Sequence, residues 1–347
     1  MRKPKDRDLI ETHEGLLFCV IGYLHPPKAY TAYLKYVPET AGKWSKGNLR
    51  YRRAFSYYHV MQVEETFGFL KESYPEYLFQ CPIRNILIST VPEKRVKTYY
   101  EPEKKLQNIM TQEKRDEMEE EVRQLVELLS DLSGVKPEYF GVTGSVLLGM
   151  HNPRFSDIDL TVLGIAASQK VKQAMMKLTK EENTSIRRFR ADKAEKWIRE
   201  KMERFPLKRE EAELFLTRRW NYGYFGNRYF SVHPIRRDEE IEEKYGQHRY
   251  TALGVAQGTG IICSSRESIL LPAVYYVEDV KAQGWQGFDF GQVVSYEGLY
   301  SDVLNDGEQF AFRGLVELVN GGLVSYRRIL IGSTKLEGKD YIKPIFT

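Results

Sequence analysis

The stretch that most constrains this chain is Phe140-Gly141-Val142-Thr143-Gly144-Ser145-Val146-Leu147-Leu148-Gly149, followed by Ser156-Asp157-Ile158-Asp159-Leu160-Thr161-Val162. It reads as strand, tight glycine turn, short helix, loop and second strand. A glycine at 144 lets the backbone turn and approach a ligand with no Cβ in the way. Ser145 then opens a helix, whose unpaired N–H groups and positive dipole end favour a phosphate. Alternate residues of a strand share a face, so Asp157 and Asp159 look the same way while Ile158, Leu160 and Val162 point into a core. Two convergent carboxylates beside a phosphate cradle are what Mg²⁺-assisted nucleotide chemistry requires.

A Gly144-Ser145 pair at a helix start, followed by Asp157-x-Asp159 on the next strand, resembles the nucleotidyltransferase superfamily of DNA polymerase beta. The match covers roughly the middle third of the chain. Beyond it, the whole sequence resembles a group of predicted archaeal nucleotidyltransferases of unassigned substrate. The resemblance implies an α+β protein with a central polymerase beta-like domain, a mixed sheet with helices. It implies transfer of a nucleoside monophosphate from a nucleoside triphosphate to an acceptor hydroxyl on RNA, DNA or protein, with release of pyrophosphate. Asp157 and Asp159 would hold Mg²⁺ (or Mn²⁺), and Gly144 and Ser145 would hold the triphosphate. In that superfamily a later strand of the sheet supplies a third carboxylate. Here the alternating run Asn227–Ile235 puts Ser231 and His233 on one face, and neither is an acid. His233 is the candidate for the third position. Histidine can bind a divalent metal, take a proton from the incoming hydroxyl or contact a phosphate, and it can also merely end a strand before Pro234.

The net charge of +4, from 52 basic and 48 acidic residues, is a mild excess and not that of a protein coated in nucleic acid. The three cysteines, Cys19, Cys81 and Cys263, are far apart, with no zinc spacing or disulfide framework, which fits a reduced, cytoplasmic setting. The charged start Met1–Asp8 is no signal peptide, and no stretch is apolar enough to span a membrane.

Three segments are expected: an N-terminal α+β domain over 1–103, the nucleotidyltransferase domain over 104–245, and a C-terminal antiparallel β barrel or sandwich over 246–347. In the first, runs at 15–24 and 31–37 read as a hairpin across His25-Pro26-Pro27-Lys28, with His25 a turn residue or a ligand. The stretch Gly47–His59 mixes arginine with tyrosine; that mixture can bind RNA or DNA, but it reads first as a solvated face over packed tyrosines. A helix near 63–73 and a strand at 84–90 follow. One long helix is expected over 104–132, its Met118, Val122, Leu125, Val126 and Leu129 on one stripe and its glutamates solvated. Helices at about 167–180, 192–202 and 208–220 carry or adjoin Arg187, Arg188, Arg190, Arg218 and Arg219, which either reach a phosphate or pair with nearby glutamates. Past residue 249, short strands are expected at 250–257, 260–264, 269–277, 289–295, 310–319 and 326–332, with Gly254, Gly258 and Gly260 in turns or a phosphate loop. A reading of a different class is a nucleic-acid-binding protein that keeps the fold without the catalysis. It would use the Arg/Tyr stretch and the C-terminal barrel, and it would bind strands without metal.

Overall fold

Alternating apolar residues and helical stripes partition the chain into an α+β structure with three sheets. The computed structural model describes residues 2–55, 59–178, 185–321 and 324–345, so Ser56–Tyr58 of the Arg/Tyr stretch and the end of the helix expected to 180 lie outside the described residues. In chain order come β1 (Leu9–Thr12), β2 (Leu17–Val20), β3 (Ala29–Pro38), β4 (Trp44–Lys46), β5 (Leu49–Arg53), α1 (Val60–Ser73), β6 (Leu78–Cys81), β7 (Ile86–Pro92), β8 (Val96–Tyr100), α2 (Pro102–Thr111) and α3 (Glu117–Ser133). Then follow β9 (Phe140–Thr143), α4 (Gly144–Leu147), β10 (Ile158–Leu163), α5 (Ile165–Leu178), β11 (Ile186–Arg187), α6 (Ala191–Arg204), α7 (Arg209–Arg218), β12 (Tyr222–Phe225) and β13 (Arg228–Ile235). The last six strands are β14 (Arg249–Ser264), β15 (Ala273–Ala282), β16 (Phe290–Ser295), β17 (Gln309–Gly321), β18 (Val324–Ile331) and β19 (Tyr341–Pro344). These elements pack into two units that cut across the three segments read from the sequence: 1–54, 90–190 and 220–242 in one, and 55–89, 191–219 and 243–347 in the other. No helix among the described residues is long and apolar enough to cross a membrane.

The first unit holds two sheets. The N-terminal one runs β4-β5-β3-β2-β1-β8, and β2 and β3 form the expected antiparallel pair. The second is mixed, in the order β11-β12-β13-β10-β9, with β10 parallel to β13 and antiparallel to β9. One face of this sheet is apolar: Val142, Ile158, Leu160, Val162, Phe230 and Val232 are all fully buried, and α5 packs against β10 and β13. The other face carries the polar residues of interest. The helix expected over 104–132 is in fact two helices. Arg115 folds back onto the carbonyls of Ile109 and Met110 at the end of α2, and the Asp116 side chain accepts from Glu119 N at 2.8 Å, starting α3 anew. The stripe from Met118 to Leu129 is buried on α3 as expected. Two groups have local partners. His25 Nδ1 accepts from Thr31 N at 3.1 Å within its own turn, and Glu119, Glu120 and Glu121 pair with Lys105, Arg123 and Arg228.

In the second unit the C-terminal strands pair in a ring, β14-β15-β16-β18-β17 and back to β14, with β19 added on β17. It is not wholly antiparallel, because β16 and β18 run parallel. Its core is built on Tyr275, Phe310, Phe312, Val316, Ile329 and Ile331, joined by Ile198 and Phe215 from α6 and α7. The two strands expected at 250–257 and 260–264 are one long strand, bulged between Ala252 and Gly254. Gly258 therefore lies inside a strand and not in a turn: a Cβ there would meet the Lys281 carbonyl oxygen at 2.0 Å. Arg218 and Arg219 serve this unit, Arg218 pairing with Glu308 at 2.6 Å and Arg219 donating to the carbonyl oxygens of Gly298 and Leu299.

Candidate active site

Strand pairing brings the polar residues together. Across β9, β10, β13 and β12, Thr143 lies opposite Asp159, Asp159 opposite Ser231 and Ser231 opposite Tyr222, while Thr161 lies opposite His233. Paired residues share a face, so Thr143, Asp159, Ser231, His233, Tyr222, Tyr224 and Tyr229 occupy one side of the sheet. Gly144 follows Thr143 with φ +67, a conformation that other L-residues rarely adopt, and a Cβ placed on it would meet Asp159 Oδ2 at 2.5 Å. The glycine is required twice, once by the turn and once by the carboxylate seated against it. Asp157 precedes β10 and is exposed.

Asp159 is held by a short chain of hydrogen bonds. Ser231 Oγ donates to Asp159 Oδ1 at 2.5 Å and lies 2.8 Å from His233 Nε2. An ionised carboxylate has no proton to give, so the serine spends its only hydrogen on Asp159. The ring nitrogen therefore donates to the serine oxygen, which fixes the Nε2–H tautomer. His233 Nε2 itself is 3.7 Å from Asp159 Oδ1. Burial opposes the Asp159 charge, but His233, Lys35 and Ser231 outweigh it and hold the carboxyl well below the usual range. Burial and then the charge of Arg7 pull His233 down to about 4, against the pull of Asp159, so the ring is neutral at pH 7. Asp157 goes the other way. Its surroundings, and then the neighbouring charge of Asp159, push its carboxyl up to about 6, against Arg53, Arg228 and Lys43.

The loop before Asp157 is pinned from several sides. Asn152 N donates to Ser156 Oγ at 2.9 Å, and Arg228 Nη1 donates to the Ser156 and Pro153 carbonyl oxygens at 2.9 and 3.0 Å. Ser145 sits in the corner, 9% exposed, its carbonyl accepting from Met150 N at 2.8 Å. The helix it was expected to open is a single turn, α4, too short for much of a dipole. What the sequence reading missed is the contribution of the N-terminal segment. Lys35 of β3 is almost fully buried and directs its charge at Asp159 and His233. Arg7, at φ +71, accepts a 2.7 Å hydrogen bond on its carbonyl from Thr143 Oγ1 beside the corner. Only the register of β3 against the rest of its sheet could have signalled this, and that register is not visible in a linear chain. Among the described residues no group of three or more His, Cys, Asp or Glu side chains is arranged to hold a metal.

Comparison with known proteins adds one relative. The chain is 31% identical over 345 residues to "Uncharacterized protein MJ1086" of Methanocaldococcus jannaschii, an alignment covering 98% of this chain and 99% of that protein. The chain belongs to the MJ1086 family. No family model matches it, and no solved structure matches it significantly. The alignment with MJ1086 runs through both units, the mixed sheet and the ring of strands alike.

Proposed function

We propose that the chain is a metal-dependent nucleotidyltransferase of the polymerase beta superfamily, moving a nucleoside monophosphate from a nucleoside triphosphate to a hydroxyl acceptor with release of pyrophosphate. The observation that carries this is Asp159, which is seated against Gly144, hydrogen-bonded by Ser231 and kept ionised, with Asp157 beside it. Mg²⁺ (or Mn²⁺) fits this donor set: two hard carboxylates, one of them holding its proton up to about 6 because its surroundings, and then the charge of the other, disfavour its ionised form. Such a cation takes one or two carboxylates from a protein and completes its shell with phosphate oxygens and water. Asp157 and Asp159 would hold it, and it would supply charge compensation at the triphosphate.

The remaining work falls to side chains around the corner. Gly144 lets the phosphate chain approach the backbone, and Gly144 with Ser145 holds it there. Ser231 orients Asp159, and His233, as a hydrogen-bond donor, orients Ser231. This gives His233 a positioning role acting through the serine, in place of a third metal ligand. Lys35 and Arg7 add positive charge where the leaving pyrophosphate gathers negative charge. The acceptor oxygen bonds to the α-phosphorus as the bond to the pyrophosphate oxygen breaks.

The test is incubation with each α-labelled triphosphate and Mg²⁺, offering total RNA, DNA and protein as acceptors. Label should move to one acceptor class and stay free when the metal is chelated. Label that joins none of them under any condition would sink the proposal. The second reading, a strand-binding protein without catalysis, is favoured by one observation, the exposed cations over aromatic rings at Lys43 and Arg53. It expects oligonucleotide binding that needs no metal and weakens steeply with salt.

A further inference from the structure

The arginine-rich part of the N-terminal segment divides in two. Arg50 Nε donates to the Gly42 carbonyl at 2.9 Å, and Arg52 pairs with Glu39 at 3.0 Å, so both are used within the fold, while Tyr51 is fully buried. Arg53 differs: its guanidinium lies 4.9 Å from the Trp44 ring centroid. Lys43 Nζ lies 4.1 Å from the ring centroid of Phe155, and Trp44 and Phe155 meet edge to face at 6.1 Å. Phe155 stands two residues before Asp157, so the loop carrying that carboxylate rests on the β4–β5 hairpin. Lys43, Arg53 and Arg154 are exposed, and neither Lys43 nor Arg154 has a carboxylate partner among the described residues. Lys43 and Arg53 both direct their charge at Asp157.

We propose that this rim of Lys43, Trp44, Arg53, Arg154 and Phe155 holds a single-stranded nucleic acid as the acceptor and presents its terminal hydroxyl to the carboxylate pair. The inference rests on the transferase reading of that pair. Exposed cation–π contacts are weak, so they exchange readily for phosphates and bases. A strand carries one phosphate per base, which matches exposed cations alternating with flat rings; a peptide acceptor offers neither repeat. In the transfer, the terminal hydroxyl oxygen forms a bond to the α-phosphorus, its proton leaves to water, and the bond to the bridging oxygen breaks, so pyrophosphate departs with the electron pair.

The test measures binding, not turnover, on the full chain. Fluorescein-labelled single-stranded RNA and DNA oligonucleotides are titrated by anisotropy at two salt concentrations, and each triphosphate with Mg²⁺ is titrated separately by calorimetry. Lys43→Ala combined with Arg154→Ala removes two exposed cations, and Trp44→Leu removes the ring. Strand affinity should fall about tenfold or more in each, by a factor several times larger than any change in triphosphate affinity. The salt slope should drop by about 0.7 for each cation lost. The proposal is overturned if neither oligonucleotide binds the unaltered protein, or if both variants bind it as tightly as the unaltered protein does. If the strand binds at the rim but no triphosphate binds with Mg²⁺, the transferase reading fails and the acceptor role fails with it. If triphosphate binds and the strand does not, only the rim assignment falls.

Discussion

Two regions treat neighbouring charges in opposite ways. In the ring of strands, Glu317 and Arg328 are both buried and meet at 2.7 Å, and the Arg328 guanidinium also lies over the Tyr250 ring at 4.3 Å. Each charge there meets its opposite. On the polar face of the mixed sheet, two like charges are brought together instead. Asp159 is kept ionised, and Asp157, with no ion pair among the described residues, holds its proton up to about 6. A closed buried pair is a structural device whose loss is costly. Like charges maintained side by side have no such structural benefit, and their place is where an outside cation is expected.

The contrast can be broken at either end. Asp157→Asn or Asp159→Asn should lower label transfer by about 10³-fold or more while leaving the circular dichroism spectrum unchanged. Transfer that survives in both variants would make the pair no different from surface carboxylates. Arg328→Met should lower stability by about 3–5 kcal/mol, because Glu317 is left buried and unpaired, and a compensating change at Glu317 should restore much of it. Denaturant titration that finds a loss below about 1 kcal/mol would put the pair among exposed ones and erase the contrast. Gly144→Ala comes next, costing about 1–3 kcal/mol from the left-handed backbone, with weaker Mg²⁺ affinity because the new Cβ displaces Asp159. Ser231→Ala sharpens the picture further: freed from its donor, Asp159 should bind Mg²⁺ about 10–100-fold more weakly at almost unchanged stability. Unaltered affinity by calorimetry would show that the serine does not position the carboxylate.

The smallest expected effect lies in pH. The Asp157 carboxyl titrates near 6 in the folded chain, against 3.8 unperturbed. Between those values the folded state binds more protons than the unfolded one, so this group makes the metal-free chain more stable as pH falls from about 6 toward 4, and less stable as it rises again. Subtracting the pH–stability profile of Asp157→Asn from that of the unaltered protein should isolate this slope. A flat difference would remove the like-charge argument. Added Mg²⁺ should move the chain in the opposite sense, stabilising it most above pH 6, where Asp157 is ionised.

Alternation of apolar and acidic residues from Asp157 to Val162 was enough to foresee the apolar face of β10, because a strand has only two sides. Glycine at 144 was equally legible as a turn. Less visible was the break between α2 and α3: Arg115 and Asp116 look like ordinary helix-surface residues until one is seen to cap backwards and the other forwards. The glycines of β14 misled for the same reason. In the sequence they punctuate, whereas in the structure Gly258 lets the neighbouring strand pass too close for a Cβ, and Gly260 makes room for the Phe310 ring. His233 could be placed on a face but not given a tautomer, since that follows from where Ser231 spends its proton.

What the sequence determined by itself was local and periodic: which residues alternate, where the backbone must turn, and that Asp159 lies on the polar side of its strand, whereas Asp157, expected on the same strand, precedes it. Tertiary structure alone decided which charges surround those acids. Lys35, Arg7, Lys43 and Arg53 lie more than a hundred residues before Asp157, and only strand register and the docking of one loop on one hairpin bring them to it. Electrostatic interactions depend on distance through space, and separation along the chain carries no information about that distance.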